Sequence, residues 1–140
     1  MTSEHLEKLA KIGSLKSEPF SQSDYEALLQ SGKRRLADAR NPTLSLDGRF
    51  DLAYNASHAL GLAALRWHGF RAENRYIVFQ SLAHTLRMAS ERWRILDAAH
   101  HMRNVSEYQG ELNVSESLVA GIIDVAEEMV ARLEAPGLSA

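Results

Sequence analysis

The chain has 140 residues and no cysteine, which excludes a disulfide framework and any thiolate metal site. That absence accords with a reducing cytoplasm, the location expected for this protein. Long apolar runs are missing too. The longest, residues 59–65, lies between His58 and Arg66, whereas a membrane span needs about twenty residues, so no membrane partner is expected. The first sixteen residues carry Glu4 and Glu7 and lack the apolar centre of a secretory signal. Neither charge sign dominates. Sixteen Lys and Arg against eighteen Asp and Glu give a net charge of −2, which excludes a wholesale polyanion binder of the kind with pI above about 9. Any nucleic-acid surface must therefore be local. Alternating β-branched runs bounded by turn pairs are absent, as are internal repeats, and this leaves an all-α bundle of five to six helices without a sheet.

The charge that is present is unevenly distributed. Residues 1–30 hold three Lys and five acids, residues 31–110 hold twelve basic and seven acidic groups, and residues 111–140 hold one Arg and six acids. The middle is basic at +5 and the end acidic at −5. Long arginines in the middle either decorate solvated helix faces or converge on a phosphate-binding cleft.

Residues 1–20 read as an N-terminal arm with a marginal helix ended by Gly13 and Pro19, residues 21–135 as the helical domain, and 136–140 as a tail. Ser23-Asp-Tyr-Glu26 has the capping-box pattern, so a helix is expected from there to about Arg40, ended by Asn41-Pro42. Its core stripe is Tyr25, Leu28, Leu29, Gly32 and Leu36, while Lys33, Arg34 and Arg35 face elsewhere. Asp47 is the expected N-cap of the next helix, in which Phe50, Ala53, Tyr54, Ser57, Leu60, Gly61, Ala64 and Leu65 follow a 3.6-residue period. Small residues on that helix permit close approach of a partner helix, and the face of Ala53, Ala56, Gly61 and Ala64 is also expected to meet a second subunit across a two-fold axis. Gly69 closes it, and residues 70–74 make a turn. A shorter helix over residues 75–87 presents Val78, Leu82 and Leu86. Another starts near Ser90 and runs to about Tyr108, ended by Gly110. Asn113-Val-Ser-Glu116 opens a last helix with a stripe of Leu118, Val119, Ile122, Val125, Ala126, Met129, Val130 and Leu133. The faces of residues 50–65, 90–108 and 118–133 are expected to form the core.

Polar and titratable groups concentrate at the end of the fifth of these helices, in Asp97-Ala-Ala-His-His-Met-Arg103-Asn104-Val-Ser-Glu-Tyr108. Arg92, Leu96, Ala99 and Arg103 recur at four, three and four residues, which puts the Arg103 guanidinium in line with an apolar stripe. An arginine so placed needs a partner: a carboxylate such as Asp51, Asp97 or Glu107, a facing subunit, or a phosphate gripped bidentately. The six histidines include no His-Glu-x-x-His pattern, and no metal site or cofactor is expected. A Gly-x-Ser-x-Gly turn and a phosphate loop are both missing.

Three segments together resemble the HEPN domain family: the alanine-rich helix Phe50-Asp-Leu-Ala-Tyr-Asn-Ala-Ser-His-Ala-Leu-Gly-Leu-Ala-Ala-Leu65, the segment Val78-Phe-Gln-Ser-Leu-Ala-His-Thr-Leu86, and Arg103-Asn104 near the end of a later helix. The resemblance covers roughly residues 47–133. It implies a homodimer whose two arginine motifs face a shared cleft, with RNA, a nucleotide or a protein partner bound there, in a toxin–antitoxin or defence setting. Active members carry a histidine separated from the arginine by four to six intervening residues and cut RNA. Here Tyr108 and Gly110 occupy those positions, so the expectation is a non-catalytic or weakly active module. The candidate motif or phosphate-binding residues are Arg103, Asn104, Tyr108 and His100, with His84 and Asp51 as secondary candidates. A metal-independent endoribonuclease with altered residues, using His100 in place of the missing histidine, is the alternative. A helical scaffold that binds no nucleic acid is the third reading.

Overall fold

In the computed structural model the described residues are 4–72, 74–109 and 114–135, with side chains described for all of these except 106–109. The elements run α1 (Glu4–Lys11), β1 (Leu15–Ser17), α2 (Gln22–Ala39), α3 (Leu46–Trp67), β2 (Phe70–Ala72), α4 (Arg75–Gln80), α5 (Leu82–Thr85), α6 (Ser90–Gln109) and α7 (Glu116–Leu133). The all-α bundle expected from the sequence is what forms. Pieces α4 and α5 replace the single helix expected over residues 75–87. They break at Ser81, whose buried hydroxyl donates to the Val78 carbonyl at 2.8 Å and so turns back on the preceding helix.

Helix starts follow the capping rule, but two caps sit earlier than the sequence pattern suggests. Ser21, not Ser23, caps α2, its Oγ accepting from the Asp24 N–H at 3.3 Å. Ser45, not Asp47, caps α3 by accepting from the Gly48 N–H at 3.0 Å. In both cases a serine three residues before a free N–H satisfies one of the four unpaired donors of the first turn. Ser115 does the same for α7, accepting from the Leu118 N–H at 3.1 Å. The glutamate of that expected capping box, Glu116, opens the helix instead, and Asn113 lies outside the described residues. At the other ends, Gly13 and Gly69 adopt φ of +83° and +86°, the left-handed conformation that closes a helix without a Cβ penalty.

Helix α3 is the axis of the bundle. Phe50, Ala53, Tyr54, Ala56, Leu60, Ala63, Ala64 and Leu65 are each 0% exposed, so the helix is covered nearly all round. Helix α2 lies along it most extensively and α7 next. This corrects the expected core of residues 50–65, 90–108 and 118–133, because α2 rather than α6 is the main partner of α3. Among its described side chains α6 supplies only Leu96 and Ala99 to the fully covered core. The small residues explain the closeness. A Cβ on Gly32 would lie 2.6 Å from Leu60 Cγ, and one on Gly61 2.6 Å from Val78 Cγ1, so these glycines are where α2 and α4 meet α3. The alanine-and-glycine face of α3 is therefore consumed within the chain, which removes it as the dimer surface expected from the sequence.

A two-stranded antiparallel sheet also forms, contrary to the expectation of none. Leu15 pairs with Ala72, Lys16 with Arg71 and Ser17 with Phe70, and the Glu18 N–H donates to the Gly69 carbonyl at 2.8 Å. Strand β2 thus occupies the segment expected to be a turn. Buried Leu15 and Phe70 anchor the pair to the core. The segment that reads as an arm is docked through Leu6 at 0% exposure and Leu15 at 1%. Among the described residues no helix is long and apolar enough to cross a membrane.

Candidate functional site

The polar face of α3 carries Asp51, Tyr54, Asn55 and His58 at intervals of three, one and three residues, so all four project to one side. That side meets α4, which brings Arg75 and Phe79, and the second half of α6, which brings His100, Arg103 and Asn104. Arg75 opens α4 directly after Asn74, whose side chain accepts from the Ile77 N–H at 3.0 Å and fixes where the helix begins. His100, Arg103 and Asn104 follow the i, i+3, i+4 spacing of a single helical face.

Tyr54 is the centre of the group. It is fully buried, its ring lies parallel to Phe50 with centroids 6.0 Å apart, and Phe79 meets it edge-on at 5.8 Å. Its hydroxyl hydrogen-bonds to His100 Nδ1 at 2.8 Å, as a buried phenol requires. Two guanidiniums approach the same ring, Arg75 at 5.3 Å and Arg103 at 5.4 Å from the centroid, within the range where a cation is held by the ring quadrupole. Arg75 Nη1 donates to Asn55 Oδ1 at 3.1 Å. Arg103 Nη1 donates to Asp51 Oδ1 at 2.7 Å. Of the carboxylates the sequence offers as partners, Asp51 pairs with it, while the Glu107 side chain lies outside the described residues. His100 Nε2 lies 3.4 Å from Asn104 Nδ2.

His58 completes the cluster, edge-on to Phe79 at 6.2 Å. Burial first, then Arg75 and His100, lower its pKa to about 4, so it is neutral at pH 7 and adds a polar group without charge. Asp97, one turn before His100, is pushed the other way. Burial raises its pKa, against the pull of His100 and Arg94, and its buried Oδ1 has no hydrogen-bond partner among the described residues.

The remaining candidates are placed apart from this group or outside it. His84 lies on α5, stacked on His5 of α1 with ring centroids 4.4 Å apart. Tyr108 is on α6, but its side chain is outside the described residues, as are Glu107 and Gly110. Among the described residues no group of three or more His, Cys, Asp or Glu side chains could hold a metal. No family model, curated protein or solved structure matches the chain.

Of the residues in the cluster, sequence reasoning singled out Arg103, Asn104, His100 and Asp51 and missed Tyr54, Asn55 and Arg75 as site residues. Tyr54 belongs to the apolar stripe of α3 and Arg75 to a helix start, and neither local pattern signals that the two would be neighbours. Other basic residues of the middle have separate acidic partners, Arg66 and Arg71 sharing Glu18 and Arg66 also meeting Asp24 at 2.7 Å. Lys33 pairs with Glu134 at 2.9 Å, Arg40 with Glu127 at 3.3 Å, and Arg92 with Asp124 at 2.9 Å and Glu128 at 2.8 Å. Three of the twelve Lys and Arg of the basic middle thus pair with acids of α7 or its C-cap Glu134.

Proposed function

We propose that this protein is an HEPN-like helical module that binds a phosphate-bearing ligand, RNA or a nucleotide, through Arg75 and Arg103, and that it has little or no nuclease activity of its own. The observation that supports this reading is the approach of two guanidiniums to one buried tyrosine ring, beside a histidine that stays neutral at pH 7. The Arg103–Asp51 pair does not block such a role. With the two side chains 34% and 54% exposed, the pair is worth about 0–1 kcal/mol, which a doubly charged phosphate gripping the guanidinium fork can exceed. Arg75 offers its fork to a neutral amide, so a phosphate would be the first full negative charge to meet it among the described contacts.

Weak catalysis follows from the same geometry. Metal-free RNA cleavage requires a base for the ribose hydroxyl, an acid for the leaving oxygen and a cation for the phosphorane. His58, with its pKa lowered to about 4, is a feeble proton acceptor at pH 7, and His100 has Nδ1 committed to Tyr54. The resemblance further implies a homodimer across α6 and, for the partner, a toxin–antitoxin or defence setting.

Thermal unfolding with and without inorganic phosphate, a nucleotide and a short RNA tests the binding reading. At a concentration one hundred times Kd a ligand stabilises by about 2.7 kcal/mol, and Arg75→Ala and Arg103→Ala should each abolish most of that rise. Stabilisation unchanged in both variants would refute the site. Labelled RNA in EDTA should survive the wild type, while Tyr108→His should raise cleavage. Cleavage by the wild type that His100→Ala removes would replace this reading with the endoribonuclease.

A further inference from the structure

A concave surface elsewhere is lined by residues of α1, α4, α5 and the start of α6. It is a groove of about 380 Å³, within the size range of small-ligand sites. Leu9, Ile12, Ile77 and Trp93 give it an apolar floor. Ile12 is 74% exposed, more than any other large apolar side chain among the described residues. Its polar lining is Gln80, Lys8 and two histidines. Lys8 projects from α1, and the parallel rings of His5 and His84, 16° apart in plane, close one end. No carboxylate is among the described residues that line the groove, and Lys8 meets none among the described residues. Elsewhere in the chain, Lys33, Arg40, Arg66, Arg92, Arg103 and Arg132 all have internal carboxylates.

We infer that this groove binds a small amphipathic monocarboxylate, its apolar body over Ile12, Ile77 and Trp93 and its carboxylate beside Lys8. Two independent features point to that chemistry. An exposed isoleucine in a groove that also holds a partly covered indole favours a ligand that removes apolar surface from water. An amine that meets no carboxylate among the described residues, on a rim shared with two imidazoles, favours a single negative charge there. Burial and then His5 lower the pKa of His84, which disfavours a positive charge on that ring beside Lys8.

The test uses the full chain carrying Trp67→Phe, so that Trp93 is the only indole, with decanoate, decanol and decyltrimethylammonium as probes below their micellar concentrations. Decanoate should change Trp93 fluorescence saturably, with decanol at least tenfold weaker and the ammonium weaker still. Calorimetry on the wild type should return the same order. Lys8→Glu, an exposed change, should weaken decanoate at least tenfold, and Ile77→Glu should do likewise. Lys11→Glu, equal in charge change but off the groove, should leave the affinity as it was. Equal binding of decanoate and decanol, equal losses from Lys8→Glu and Lys11→Glu, or no saturable signal with decanoate would each overturn the inference.

Discussion

Acidification should destabilise this protein through His58, and the size of the effect can be worked out. The imidazole lies between α3 and α4, and burial, followed by Arg75 and His100, brings its pKa down to about 4. In the unfolded chain it titrates near 6.5. Between those two values the unfolded chain binds a proton that the folded chain refuses, so stability falls as pH falls. This group's contribution is fully present above about pH 6.5 and is lost progressively toward pH 4. At pH 5 the two proton-binding terms differ by a factor of about thirty, which at 1.36 kcal/mol per decade is about 2 kcal/mol. Urea unfolding at pH 7 and pH 5, on the wild type and on His58→Gln, measures it. The loss on acidification should be about 2 kcal/mol smaller in the variant. His68 and His84 also have lowered pKa values, burial being the main cause in each, but they are common to both proteins and cancel in the comparison. Equal losses in the two proteins would refute the argument.

Three further substitutions probe the packing. Gly32→Ala gains about 1 kcal/mol of helix propensity, yet its Cβ would meet Leu60 Cγ at 2.6 Å and the Ala56 carbonyl oxygen at 3.3 Å. Overpacking of about 1–3 kcal/mol should win, and a higher urea midpoint in the variant would show that α2 and α3 are not so close. Leu96→Ala, at a side chain 0% exposed, should cost about 2–5 kcal/mol by the same measurement, and a cost below about 0.5 kcal/mol would place α6 outside the core. Tyr54→Phe takes from His100 its 2.8 Å partner and should cost about 1–2 kcal/mol. A neutral result would mean that the hydroxyl is equally well served by water.

The helices that matter most for the core were legible from periodicity. The stripes of α3 and α7, from Phe50 to Leu65 and from Val119 to Leu133, are buried nearly residue for residue, because a 3.6-residue apolar repeat leaves a helix only one way to shed its surface from water. Helix ends were legible to within about two residues. The cap belongs to whichever serine reaches the first free N–H, and Ser21 and Ser45 compete with Ser23 and Asp47 on sequence alone. Strands β1 and β2 were not legible. Three residues each are too few to show alternation, and their pairing joins segments more than fifty positions apart.

What the sequence determined by itself was a set of local quantities: an all-α chain, the apolar face of each long helix, the helix-closing glycines, and a basic middle followed by an acidic end. Which groups those faces brought together was decided only by the tertiary structure. Arg103 could be matched on sequence with neighbours on its own helix, and the fold brings to it Asp51, fifty-two positions away. The basic and acidic blocks, which a linear reading treats as separate surfaces, meet in ion pairs at Lys33, Arg40 and Arg92, where α7 lies beside α2 and α6. The small-residue face that looked free for a second subunit was filled by α2, α4 and α7. The physical reason is the same in all three cases. Periodicity fixes which way a side chain points from its own helix, whereas its partner depends on how ridges of other helices pack against that helix, and packing couples residues at any separation along the chain.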